Sequence, residues 1–301
     1  MFIQNHSQEF ELNDMCEALE VHRSGYSRWR SPTVSESKLK EDLIKKVIMD
    51  IYDEAKGRYG HRPIYAHLQE KGIQCGRDRT LKLMKNMGVL SLQKKRFKPV
   101  CTESDHLFGY SPNLLKHQVV PGKCDQVWVA DTTFLACEES WMYLATVMDL
   151  FSRRILGWSI SDRNDTSLVC EALQAAVESR REIIPGIIHH SDRGSTYASD
   201  AYMALISSNF MRSSMSAKGN CYDNAAMESF FGRYKTSSVR GYVFREESEL
   251  RANVFDDIEV FYNRFKKHSS LDYQNPIQFE AKIFPPRGEN QNDLAVVIKN
   301  Q

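Results

Sequence analysis

Three acidic residues stand where ordinary packing does not favour them. Asp131 lies inside the apolar run "DQVWVADTTFLA" (125–136), and Asp192 closes "GIIHHSD" (186–192). Glu228 sits in "YDNAAMESFFGRYKTS" (222–237), with Met227, Phe230 and Tyr234 on its buried side. A carboxylate inside a strand is costly unless something pairs with it. Asp192 falls at the carboxyl end of a strand, the edge where open α/β sheets place their sites. Gathered at about 4 Å under an effective dielectric of about 20, each pair of carboxylates would repel by roughly 4 kcal/mol. Such a cluster takes up protons or binds a cation. All-oxygen ligation favours Mg²⁺ or Mn²⁺ over zinc. Two such ions about 3.5–4 Å apart activate a nucleophile and stabilise the leaving oxygen of a phosphodiester. Lys235 follows Glu228 by close to two helical turns, and Asn224 precedes it by one, so all three share a face. Taken singly, each acid has an ordinary alternative: a paired strand acid, a turn residue, a solvated helix face.

The stretch "HHSDRGSTY" (189–197) also brings His190, Ser191 and Asp192 together. Neighbours on a strand point to opposite faces, so they form no hydrolase relay. His190 is expected to order the second acid or contact DNA, with a packed histidine as the alternative. Asp149 and Asp223 are spare acids left outside the triad. Asp223 and Asn220 are expected to cap the helix bearing Glu228, and Asn224 to cap it or touch DNA. His61, His67, Cys75 and Cys101 lack the spacing of a zinc site.

The elements that must position these residues form a mixed α/β pattern. Strands over 125–136, 141–151 and 153–161 read as an antiparallel meander. Helix 167–181, strand 186–192, helix 199–210, strand 212–216 and helix 222–237 follow, then a last helix over 247–266. Upstream, 14–30 read as two short helices, and 36–57 as an amphipathic helix with Leu39, Leu43, Val47 and Ile51 on one stripe. Helices over 62–70 and 77–87, joined by "KGIQCG", make a helix-turn-helix, the second closed by Gly88. Arg77, Arg79 and Lys82 open that second helix, where a recognition helix meets DNA. "QKKRFK" follows as a basic arm.

Net charge is only +1, but it is segregated. Residues 23–100 carry 19 Lys/Arg against 8 Asp/Glu. A basic front and a slightly acidic body suit an anionic polymer held by one module and worked on by another. There is no apolar run of about 18 residues, so no membrane span is expected. The start lacks a secretory signal pattern. Seven Cys without a CxxC pair suit a reducing compartment, so the expected location is the cytoplasm, on the nucleoid.

"WVADTTF", "YLATVMDLFSRRILGWSIS", "HHSDRGSTY" and "SMSAKGNCYDNAAMESFFGRYK" together resemble the catalytic core of DDE-type insertion-sequence transposases. The closer likeness is to the group whose second reading frame (OrfB-like) encodes a retroviral-integrase-like core. "YGHRPIYAHLQ" is similar to that group's helix-turn-helix, and "FYNRFKKHSSLDYQNPIQF" to its C-terminal signature. The resemblance implies a ribonuclease-H-like fold, a mixed five-stranded sheet flanked by helices, preceded by an all-α helix-turn-helix region. It implies that Asp131, Asp192 and Glu228 hold two Mg²⁺ or Mn²⁺ ions, and that Lys235 contacts DNA near the transposon end. It also implies a first-frame (OrfA-like) partner or fusion and a homo-oligomer on DNA. Phe134 and Thr196 depart from the pattern, which has Tyr and Gln there. Tyr262, Asn263, Arg264 and His268 are expected to pack and to contact phosphate. The expected division is 1–35 short helical segment, 36–100 helix-turn-helix domain, 101–124 linker, 125–285 catalytic core and 286–301 tail. The expected activity is metal-dependent DNA cleavage and strand transfer at transposon ends. A same-fold nuclease that only hydrolyses, and an inactive DNA-binding regulator, are the alternatives.

Overall fold

Val127–Cys137 (β1), Ser140–Asp149 (β2) and Ile155–Ser161 (β3) form the expected meander, each pair antiparallel. Ile188–Ser191 (β4) then pairs in parallel with β1, and Arg212–Met215 (β5) with β4. The sheet order is β3-β2-β1-β4-β5. The computed structural model describes residues 2–31, 35–89, 110–115, 120–138, 140–180, 182–216, 224–239 and 242–284. The basic arm, the cap candidates Asn220 and Asp223, Cys101 and the tail lie outside these residues.

Strand alternation splits the core in two. Val127, Val129 and Leu135 face one side, with Met227, Phe230, Phe231 and Tyr234 of helix Ala225–Tyr234 (α9) and with Leu250 and Val254 of helix Glu247–Phe255 (α10). Trp128 and Ala130 face the other, with helices Thr166–Glu178 (α7) and Asp200–Ser208 (α8). Asp165 caps α7 by accepting from the Leu168 N–H, and Ser199 caps α8 through the Tyr202 N–H. Gly157 lets β3 lie directly on α7. A Cβ there would come within 2.3 Å of the Ala176 nitrogen and 2.4 Å of the Ala172 oxygen.

Helices Glu36–Glu54 (α4), His61–Glu70 (α5) and Arg77–Asn86 (α6) build the upstream unit, and Gly88, at φ +69°, ends α6 as expected. The predicted α4 stripe is corrected. Leu39 and Leu43 are 58% and 62% exposed, while Ile44, Ile48 and Ile51 are buried against Ile64, Leu68 and Leu83. Only the second half of α4 meets α5 and α6, so its first half has no core to face.

This unit is not a separate bead. Tyr59 stacks on Phe265 at 5.5 Å, and Phe261 joins the upstream core. Arg58 reaches Asp257 at 3.3 Å, and Lys56 reaches Asp256 at 2.8 Å. The expected single helix over 247–266 breaks here. Asp256–Tyr262 forms a π-helical turn after α10, which re-aims the following side chains by one position per turn. Asp257, Ile258, Phe261 and Tyr262 all become buried in consequence.

The expected linker also packs. Ser111 donates to Ser213 (2.8 Å), the Leu114 N–H donates to Ser214 (2.9 Å), and Leu115 enters the core. Helix Pro276–Ile283 (α11), capped by Asn275 and Gln278, is clamped by charge. Glu280 accepts from Ser152, Arg154 and Arg180, while Arg180 also donates to Asp125 at 2.9 Å.

Three histidines are folded in neutral form, and one of them, His268, is lowered to about 2 by burial, reinforced by Lys266. Burial, reinforced by Lys267, lowers His67 to about 4; burial, reinforced by His190, lowers His189 to about 4. In the unfolded chain all three protonate near about 6.5. The unfolded state therefore binds more protons between these values, and stability falls as pH drops from about 6.5 towards about 4. The urea midpoint should fall from about pH 7 to about pH 5, and His67→Gln should reduce that fall. An unchanged midpoint would contradict this reading of the three rings.

Candidate active site

β1 carries Asp131 directly beside Thr146 of β2. β4 pairs with β1 only over Val127–Val129 and then ends, so Asp192 leaves the sheet next to the open stretch of β1. α9 crosses the same face and brings Glu228, which is exposed in its first turn. The helix is tied to β1 by Asn224, whose Nδ2 donates to the Ala130 oxygen at 3.3 Å.

These placements bring three carboxylates into one electrostatic environment. Burial, then the charges of Asp192 and Glu228, raise Asp131 to about 8, against the Thr132 N–H and Lys235. Burial also raises Asp192, opposed by the Gly194 N–H. Asp131 Oδ1 accepts from Thr132 (2.8 Å), and Asp192 Oδ1 accepts from Gly194 (2.9 Å). Each acid is thereby fixed through one oxygen, with no hydrogen bond to its other oxygen among the described residues. Burial pulls the Lys235 ammonium below its ordinary value, and Asp131 works against that.

The donor set fits a hard divalent cation. All three side chains offer oxygen, none is bound to an arginine among the described residues, and Asp131 is held at an energetic cost that a cation would relieve. The three do not meet the tighter spacing found elsewhere. Among the described residues, only Cys124, Asp149 and Glu280 have ligand atoms all within 4.8 Å of one another. That second group has no capacity left. Asp149 accepts from the backbone of Asp125, Phe151 and Ser152, and both Glu280 oxygens are taken by arginine and serine. Asp149 aligns with Trp128, one parity away from Asp131, and so faces the opposite side of the sheet.

Two expected DNA contacts are corrected. His190 is fully buried, with Nδ1 2.8 Å from the Ser214 hydroxyl, because β4 lies between β1 and β5. Asn224 is buried as well and makes no side-chain cap; it anchors α9 instead. Arg77, Arg79 and Lys82 are exposed along the first two turns of α6. Of the C-terminal signature, Tyr262, Asn263 and His268 are buried; Asn263 bonds both backbone groups of Ile155. Sequence reasoning missed Asp257 and its two arginines, Arg58 and Arg233. The one available signal was an acid pair, Asp256 and Asp257, set between the apolar residues Val254, Phe255 and Ile258. It also missed the Thr132–Tyr197 hydroxyl contact (2.9 Å), which pins the loop after Asp192 to β1.

A mixed β3-β2-β1-β4-β5 sheet, antiparallel over its first three strands and parallel over the last two, with helices on both faces, is a ribonuclease-H-like arrangement. Residues 122–221 and 210–276 match integrase core domain families, and residues 38–97 match an HTH-like domain. The chain is 38% identical over 268 residues to the insertion element IS600 uncharacterized 31 kDa protein of Shigella sonnei, covering 89% of this chain and 98% of that one. It is 36% identical over 284 residues to transposase InsF for insertion sequence IS3A of Escherichia coli (strain K12), covering 94% and 98%. A simian T-cell lymphotropic virus intasome in complex with PP2A regulatory subunit B56 gamma aligns at 14% identity and a TM-score of 0.42, over 81% of this chain and 78% of that one. The HTLV-2 integrase catalytic core in complex with magnesium, in its trimeric form, aligns at 12% and 0.38, over 52% and 95%. The chain belongs to the IS3 family of insertion-sequence transposases. It is an insertion-sequence transposase with an integrase core domain of the DDE polynucleotidyl-transferase type, and its HTH-like domain implies binding to DNA. No described helix is long and apolar enough to cross a membrane.

Proposed function

We propose that Asp131, Asp192 and Glu228 are the catalytic acids and hold two divalent cations, Mg²⁺ or Mn²⁺. The observation that carries this is the placement of three acids from three elements on one side of the sheet: Asp131 on β1, Asp192 just past β4 and Glu228 in the first turn of α9. When bound, the cations would supply the positive charge that activates the attacking hydroxyl and stabilises the leaving oxygen. The chain's own groups do the positioning. β1 fixes Asp131, the Gly194 N–H fixes Asp192, and α9, anchored through Asn224, carries Glu228. Lys235 offers its ammonium to a phosphate along the same helix line. In the first reaction, water attacks the phosphodiester at the transposon end, and the P–O bond to the 3′ oxygen breaks. That oxygen takes a proton and becomes a 3′-hydroxyl. In the second, this hydroxyl attacks a target phosphodiester and displaces its 3′ oxygen, which is protonated in turn.

The helix-turn-helix unit is the end-binding module, with α6 in the major groove and Arg77, Arg79 and Lys82 at its front. Arg79→Ala with Lys82→Ala should weaken duplex binding by about 10-fold or more, and each lost phosphate contact should lower the salt slope by about 0.9. Anisotropy titrations across a salt series measure both; an unchanged slope would remove these residues from the interface. A first-frame partner and assembly of several chains on DNA complete the working enzyme in this reading. The overall test incubates the chain, with and without the first-frame partner, with labelled end-bearing duplex and Mg²⁺ or Mn²⁺. Joined products support the proposal. Cleavage without joining, in both reactions, favours the hydrolytic alternative, and binding alone in both favours the regulator.

A further inference from the structure

Several large aromatic side chains of the core domain are exposed, and two of them, at the turn end of the β1–β2 hairpin, touch each other. Phe134 is 54% exposed and Trp141 56% exposed. Their rings meet edge to face, with centroids 5.2 Å apart at 82°. The register explains the pairing: Phe134 aligns with Tyr143 and Ala136 with Trp141, so the two rings are diagonal neighbours on one face. Both positions sit on paired strands and are therefore held in place, not trailing on a loop. The Lys235 ammonium lies 4.2 Å from the centre of the Phe134 ring. The same ammonium feels the charge of Asp131. Because β4 stops short, β1 beyond Val129 pairs with β2 alone and leaves its other edge open, and this stretch carries both Asp131 and Phe134. Phe134 is three residues from Asp131 and so faces the other side of the sheet; the Lys235 ammonium, over the Phe134 ring and within the field of Asp131, spans the open edge between them.

Two rings facing solvent cost free energy unless something covers them. We propose that Phe134, Trp141 and Lys235 form a nucleotide subsite. The aromatic pair takes an unstacked base beside the reacting phosphate, and the ammonium takes the phosphate of that nucleotide. The subsite rests on the assignment of the acids above and adds what holds the strand next to them. Three features favour a base over a protein surface. The Lys235 ammonium already sits over the Phe134 ring, so a polyanion is the complementary ligand. The pair is continuous with the acids through one strand. A Phe and a Trp together offer at most a few hundred Å², against about 800 Å² per partner in a stable protein interface. Stacking on such a platform tolerates any base, which suits a site beside a cleaved bond. It also offsets the few kcal/mol needed to draw a base out of the duplex.

The test keeps chemistry out of the readout. Duplexes of the element's own end carry 2-aminopurine at or beside the cleaved phosphate, or at an internal position. They bind full-length protein with the Asp131→Asn background, without divalent metal. The expected result is a change in 2-aminopurine fluorescence on binding at the terminal position only. Trp141→Ala should abolish that change, and Trp141→Phe should restore it. Affinity for ends with frayed terminal bases should fall about 5- to 100-fold in Trp141→Ala, with less than about a 2-fold effect on an internal duplex lacking the end. Equal losses on both duplexes, or a terminal signal indifferent to Trp141→Ala, would overturn the subsite. A change in sedimentation with no change in fluorescence would also overturn it and assign the rings to a contact between proteins. The result is independent of whether the three acids bind metal, so failure of one proposal is distinguishable from failure of the other.

Discussion

Asp131→Asn should abolish both cleavage and joining, by at least about 1000-fold, equivalent to about 4 kcal/mol of lost transition-state stabilisation. The same substitution should leave binding to end-bearing DNA intact. It should also raise the melting temperature of the metal-free protein, by about 2 °C or more. The two effects have one cause. The Asp131 carboxylate is held against burial and against the charges of Asp192 and Glu228, with Lys235 as the only cation found to act on it among the described residues. An amide of the same shape keeps the strand and its packing but ends the repulsion, and with it the capacity to hold a cation. Loss of activity with gain in stability marks a site kept in a costly arrangement for function. A merely structural acid would show the reverse. Labelled-end cleavage and joining assays, with thermal melting in chelator, measure the two sides.

The second large effect lies away from the acids. Asp257→Ala should destabilise the protein by about 3–5 kcal/mol, because it strands two guanidiniums that share one buried carboxylate. Arg233 approaches Asp257 at 2.6 and 3.1 Å, Arg58 at 3.3 Å and the Ser238 hydroxyl at 2.6 Å. Asp257 is fully buried, and both arginine side chains are nearly so. Burial alone would raise Asp257, but Arg233, Ser238 and Arg58 outweigh it and hold the acid below its ordinary value. Its contribution is therefore complete above the unfolded value near about 3.9 and is lost as pH falls below it. Arg58 belongs to the upstream helical unit, and Arg233 to α9, the helix of Glu228. One carboxylate thus joins the DNA-binding unit to the helix that carries the third acid. Urea denaturation should give the loss in Asp257→Ala and a smaller one in Asp257→Asn, which can still accept hydrogen bonds. Wild-type stability in Asp257→Ala would mean that the bridge contributes nothing.

What was legible in the sequence follows from what is local. Strand alternation and β-branched composition gave the meander. Gly88 marked the end of α6, and the helical periods placed the other helix ends to within a few residues. The acids were legible as a set because each broke a local rule: a charge in an apolar strand, at a strand end, or beside a buried helical face. Long-range facts were not legible. Nothing near His190 in sequence says that β5 will cover it, and nothing near Asn224 says that it will hold the Ala130 carbonyl. The α4 stripe was misread because Leu43 and Ile44 both fit a helical period, and only the position of α5 and α6 chooses between them. The change of winding at Asp256 was not legible either, and the burial of Asp257 there is matched by two arginines, one of them about 200 residues upstream. Phe134 was noted only as a departure from the family pattern, and nothing in the local sequence says that it and Trp141 will meet in the open.

The central claim is that three carboxylates from β1, from the end of β4 and from α9 close around divalent cations. Diffraction collected at the manganese edge, from crystals of the protein grown with Mn²⁺ and end-bearing DNA, tests it directly. The account predicts anomalous peaks bonded to Asp131, Asp192 and Glu228, and none at Cys124, Asp149 and Glu280. Manganese bound at that second cluster instead, or no peak within bonding distance of Asp131, would contradict it.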